Sequence, residues 1–135
     1  MRYAKLNVVV GLALLVVFML SGFLLVFLHD TAAGQAIVER IGEENYHLLV
    51  VAHTHGNMFA LINVIVGLVV SHFGLQGGTV RWASILALLG FLMPVGIFLK
   101  VFVGFPPPLI LLGDLSMLSA VALLTWAAWR GGSPD

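Results

Sequence analysis

Six residues with chemistry to offer lie inside long apolar runs of this chain: His53, His55, Asn57, Asn63, Lys100 and Asp114. A polar group left unpaired in hydrocarbon costs several kcal/mol, so a polar residue at such a position is read first as functional. His53 and Asn57 are four residues apart and share one helix face. His55 lies about 200° round from His53 and points nearly the opposite way. If one face looks into a helix bundle, the other meets lipid or a second protomer. An imidazole facing lipid is costly, so His55 is expected in a protomer interface or against a cofactor or metal. His53 and His55 cannot both ligate one metal ion from an undistorted helix. Metal pairs on helices use the i, i+4 spacing that His53 and Asn57 have, but asparagine is a poor transition-metal ligand. A single histidine suits a haem iron, which needs only one or two axial protein ligands.

These residues must be positioned by apolar elements. Of the 135 residues, 61% are apolar and 9% charged, where a soluble domain averages about a quarter charged. Mean hydropathy is +1.11. Too little charge is present to coat a water-soluble fold. Six basic residues balance six acidic ones, so no basic stripe exists for nucleic acid. The absence of cysteine excludes disulfides, iron–sulfur clusters, zinc-thiolate sites and thiol catalysis.

Four stretches reach the roughly 20 apolar residues that a spanning helix needs. They run from about Leu6 to Leu28, Tyr46 to His72, Trp82 to Val103 and Pro107 to Trp129. The expected architecture is all-α: one domain over residues 1–135, a four-helix transmembrane bundle. The first stretch follows Arg2 and Lys5 like a signal peptide. It is too long for one and lacks a clean cleavage site, so it is read as a retained helix. Arg2, Lys5, Arg81 and Arg130 fall on one side, and Arg40 and Lys100 on the other, which predicts both termini in the cytoplasm. The expected location is the inner (plasma) membrane, as a multi-pass protein. The segment between Thr31 and Asn45 has helical composition and is expected as a short interfacial helix. Trp82, Trp126 and Trp129 fall at span ends as interface anchors. Gly11, Gly22, Gly67, Gly90 and Gly96 allow helices to approach closely. Pro94 predicts a kink in the third span, and Gly104-Phe105-Pro106-Pro107-Pro108 a hinge before the fourth.

Depth along these spans brings the candidates to a common level. His53 and Asp114 each lie about seven residues, roughly 10 Å, inside their spans from the same side. Lys100 is nearer that side and can snorkel, and Asn63 is deeper. His29, His47 and His72 stand near span ends and read as interfacial. Asp114 has three readings: a carboxylate near a helix start, a partner for Lys100 or a histidine, or a group orienting a ligand histidine through its second ring nitrogen. Asn57 and Asn63 read either as hydrogen-bonding glue between helices or as neighbours of a cofactor.

The stretch Val51-Ala52-His53-Thr54-His55-Gly56-Asn57, with the turn His72-Phe73-Gly74-Leu75, Val95-Gly96-Ile97-Phe98 and Leu112-Gly113-Asp114-Leu115, resembles the styrene oxide isomerase family across about residues 46–129. Asn45 to His53 also looks like the haem-ligating second helix of haem-copper oxidase catalytic subunits. The first resemblance implies a trimer of four-helix protomers, with haem b held by His53 at the protomer boundary. It also implies ferric iron acting as a Lewis acid on the epoxide oxygen of a small apolar substrate. The family's tyrosine, asparagine and aspartate positions fall here on Phe98, Phe59 and Gly90, so only His53 and Asp114 carry over. The resulting expectation is a haem b protein with His53 as iron ligand and His55 and Asn63 beside the cofactor. Asp114 and Asn57 would take any catalytic roles, in a homo-oligomer. A non-enzymatic subunit of a larger membrane complex, and a small transporter or metal-handling protein, are the alternatives.

Overall fold

A computed structural model of the protein describes residues 2–104 and 108–131. Every regular element among them is a helix: α1 (Arg2–Asp30), α2 (Ala32–Ile41), α3 (Glu43–His72), α4 (Gly78–Leu89), α5 (Leu92–Val103) and α6 (Pro108–Trp129). Helices α1, α3, α4 with α5, and α6 form four segments long and apolar enough to cross a membrane. The fold is an all-α membrane bundle; the first three expected spans sit inside these segments, and the fourth coincides with α6 apart from Pro107, which lies outside the described residues.

The helix expected between Thr31 and Asn45 is α2. Thr31 caps it by accepting the Gly34 N–H at 2.9 Å. Gly42 alone separates α2 from α3. Its φ of 86° is open to glycine at little cost, and this lets the chain turn between two helices in one residue.

The third span is broken as Pro94 requires, but one turn earlier. Proline has no N–H to give the Gly90 carbonyl, and its ring crowds that group. The Gly90 carbonyl instead accepts from Met93 at 3.1 Å, and the helix interrupts at Gly90 and Phe91. At the hinge before α6, Gly104 ends α5 in the left-handed region. Phe105, Pro106 and Pro107 lie outside the described residues.

Helix α1 lies along α3 and also meets α4, α3 lies against α4 and α5, and α6 lies against α4 and α5 while scarcely meeting α3. Small residues set the closest approaches. A Cβ on Gly67 would stand 2.5 Å from the Ala4 carbonyl oxygen, and one on Gly11 would stand 2.8 Å from that of Ala60. Two apolar clusters fill the interior. One gathers Ala4, Val66, Val70, Leu75, Ala83, Ala120 and Ala127, placing the start of α1, the α3–α4 turn and the end of α6 at one end of the bundle. The other gathers Phe18, Ala52, Phe59, Phe91, Met93, Ile97 and Met117. Phe18 and Phe91 stack there at 6.3 Å between ring centroids.

Candidate functional site

His53 is half-buried on the side of α3 that faces α1. Its Nδ1 lies 2.8 Å from the Phe18 carbonyl oxygen and 3.1 Å from Ser21 Oγ. A carbonyl oxygen only accepts, so a ring nitrogen at 2.8 Å from it carries the proton. Ser21 Oγ donates to the same carbonyl at 2.6 Å and is free to accept a share of the Nδ1 proton. With Nδ1 protonated, Nε2 of the neutral ring holds the lone pair.

Asn57, one turn on, donates to the His53 carbonyl at 3.0 Å. Its amide nitrogen is 3.3 Å from Nδ1 and 3.4 Å from Nε2. A donor lying along the in-plane lone pair of Nε2 would be much farther from Nδ1 than from Nε2. Near-equal distances put the amide beside the Cε1 edge or over the ring face. The Asn57 amide, the one donor near Nε2 among the described residues, therefore lies off the axis of the Nε2 lone pair. The Asn57 Oδ1 is buried and has no partner among the described residues. With Nδ1 protonated, the site thus presents two acceptors, an imidazole nitrogen and an amide oxygen, with the Asn57 NH2 group beside the ring.

Across from the ring is Gly22. A Cβ there would stand 2.9 Å from His53 Cε1 and 3.5 Å from Nε2. The missing side chain is what leaves room for the imidazole on α1. A single imidazole with one ring nitrogen tied to a backbone carbonyl is the arrangement that suits a metal-ligating histidine, because the tie fixes tautomer and ring orientation. No three His, Asp or Glu side chains gather into a metal cage among the described residues. The donor set is one nitrogen, as for an axial ligand to haem.

The other expected site residues are placed elsewhere. His55 points away from α1. Its Nδ1 is 3.1 Å from the Val51 carbonyl, and its ring meets Phe59 edge-on at 6.1 Å. Asn63 is fully buried between α1, α3 and α4. Its Oδ1 accepts from Asn7 at 2.9 Å, and its Nδ2 donates to the Phe59 and Ala87 carbonyls, each at 2.9 Å. Its amide is fully engaged by protein and holds helices together. Asp114 is exposed on α6 and has no hydrogen-bond or ion-pair partner among the described residues. Common depth does not bring it to His53, because depth leaves azimuth open. Gly113 is the residue that meets Met93 and Gly90, and residue 114 is turned about 100° away from that contact. Lys100 is half-buried and pairs with no carboxylate among the described residues. The polar layer therefore separates into a His53–Asn57 site, a fully buried Asn7–Asn63 clamp and an isolated Asp114.

Asn7, Ser21 and Ser84 were not among the expected site residues. Asn7 and Ser21 are the only polar side chains between Leu6 and Leu28, and they are 14 residues apart, close to four helical turns. That spacing puts both on one face of α1, and both hydrogen-bond to polar groups of α3. A cavity of about 480 Å³ lies at the α2 end, between α1, α2 and α3, with Leu28, Glu43 and Tyr46 in its wall. Tyr46 precedes His53 by seven residues and stands on the same side of α3.

No family model, curated protein or solved structure matches this chain. Fold and site together define a helical membrane protein with a histidine–asparagine pair held between two of its spans.

Proposed function

We propose that this protein binds haem b in the membrane and that His53 is its iron ligand through Nε2. The observation that carries this reading is the Phe18 carbonyl 2.8 Å from Nδ1, which leaves Nε2 as the unprotonated nitrogen. Gly22 keeps the ring's flank clear, and Asn57 packs its amide against the ring. The sequence likeness to styrene oxide isomerases supports the same ligand. When bound, a ferric haem supplies a Lewis acid able to polarise the oxygen of an epoxide. For such a reaction this chain contributes a water-poor apolar setting and the Asn57 carbonyl oxygen as a hydrogen-bond acceptor. Asp114, exposed on α6, is not placed to assist in the same protomer.

The test is an absorption spectrum of the detergent-purified protein, oxidised and reduced, beside His53→Ala and His55→Ala. An intense Soret band in the wild type that only His53→Ala abolishes is the expected result. Loss with His55→Ala instead moves the ligand. No band after expression with added haem overturns the proposal.

Asp114 favours a second reading of the assembly. A carboxylate exposed among Leu111, Leu112, Leu115 and Leu118 of a spanning helix faces hydrocarbon in an isolated protomer, at a cost of several kcal/mol. Covering that face with another protein chain removes the cost. On this reading the protein works as an oligomer or as a subunit of a larger membrane complex, with α6 in the contact.

A further inference from the structure

The likeness behind the proposed ligand lies in α3 to α6, whereas the groups that engage Nδ1 of His53 from another helix lie in α1. We infer that α1 decides which nitrogen of His53 is offered to a ligand, with Gly22 as the position that determines it. This deepens the haem reading and rests on it only for what the nitrogen is offered to.

Three groups of α1 surround the ring. The Phe18 carbonyl accepts the hydrogen bond of Nδ1–H at 2.8 Å. Ser21 Oγ, 3.1 Å from Nδ1, is itself anchored on that carbonyl at 2.6 Å. Gly22 sets how closely the ring can lie on the helix, because a Cβ there would be 2.9 Å from Cε1. Within 4 Å of that Cβ position the three nearest atoms all belong to the His53 imidazole. An added methyl would therefore meet the His53 ring first. Alanine is also the better helix former, so α1 itself gains from the change.

Pushing the ring outward lengthens the Nδ1 to Phe18 bond. Once that bond is lost, the Ser21 hydroxyl, which can donate or accept at Nδ1, does not select one neutral tautomer, and Asn57, nearly equidistant from both ring nitrogens, does not restore the preference. A fraction of the protein then carries its proton on Nε2 and cannot ligate through it without first losing that proton. Ser21 is a positioning residue of lesser weight, since the carbonyl remains when its hydroxyl is removed.

The experiment is nitrogen NMR of the full-length, 15N-histidine-labelled protein in lipid nanodiscs before any haem is added. The His53 signals are identified by their loss in His53→Gln. The wild type is expected to show one tautomer, with Nδ1 protonated and Nε2 bare. Gly22→Ala is expected to show both tautomers with helix content unchanged by circular dichroism, and a haem affinity lowered about tenfold or more. Ser21→Ala is expected to keep the wild-type tautomer. A wild-type His53 with its proton on Nε2, or a Gly22→Ala ring spectrum identical to wild type, overturns the inference. A tautomer change in Ser21→Ala overturns the assignment to the carbonyl. Because tautomers are read without haem, a wild type that never shows a Soret band defeats the haem reading while leaving this result to stand or fall separately.

Discussion

Asn7 of α1 donates to the side-chain oxygen of Asn63 of α3 across 2.9 Å, and both residues are fully buried. The Asn7 amide also reaches the Ser84 carbonyl at 3.0 Å, and Asn63 reaches that of Ala87. Three spanning segments are thus joined at one polar point. Hydrogen bonds of this kind between membrane helices contribute roughly 0.6 to 2 kcal/mol. Leaving a buried donor unpaired costs about 1 to 3 kcal/mol. Asn63→Ala is expected to destabilise the protein by about 1 to 3 kcal/mol in reversible unfolding from detergent micelles. A cycle with Asn7→Ala should give a coupling of about 0.5 to 2 kcal/mol. Thr125→Ala, which removes only an exposed bond to the Val121 carbonyl, should stay within about 0.5 kcal/mol.

The α1–α3 seam makes a different demand. Gly67→Ala places a methyl 2.5 Å from the Ala4 carbonyl oxygen, and the helices must separate to admit it. Overpacking of this kind costs about 1 to 3 kcal/mol. Gly78→Ala meets nothing within 4 Å and is expected to be neutral or stabilising. Equal melting points for the two variants would show that the seam is looser than the contacts describe.

Asn57 tests the surroundings of the proposed ligand rather than the ligand itself. Asn57→Ala removes the amide packed on the His53 ring and the buried Oδ1. Haem titration of this variant is expected to show a Soret band at 10- to 100-fold weaker affinity, roughly the loss for a residue that supports a metal ligand. Wild-type affinity in Asn57→Ala would reduce Asn57 to a structural contact of α3.

Asp114→Leu converts the one acidic position on the α6 leucine face to match its neighbours. If that carboxylate is bonded across a protein interface, native mass spectrometry should show a smaller assembly for the variant than for the wild type. An unchanged mass would place the interface elsewhere and leave Asp114 to water or headgroups near the helix end.

The helix-start chemistry of α2 is open to a local test. Thr31→Ala removes the side-chain acceptor of the Gly34 N–H, which is expected to cost about 1 kcal/mol, within the range for lost caps. The loss should appear as faster amide exchange confined to α2. Faster exchange throughout α1 and α3 would mean that α2 is integral to the bundle.

Much of this protein is legible in one dimension. Runs of about 20 apolar residues in a chain with 9% charge can form little but spanning helices, because hydrocarbon leaves backbone groups no other partners. The break near Pro94 and the helix between Thr31 and Asn45 followed from equally local causes, a missing N–H and a composition. The opposed directions of His53 and His55 followed from helical periodicity alone. What sequence left open was azimuth between helices. Depth put His53 and Asp114 at one level, yet packing turned Gly113 to α5 and Asp114 outward. Asn63 shares a helix with His53, yet contact with Asn7 and Ala87 engaged its amide in a clamp. The proton on His53 was decided by a backbone carbonyl 35 residues away. Backbone groups look alike in every sequence, so only the docking of α1 on α3 could determine which one the ring would meet.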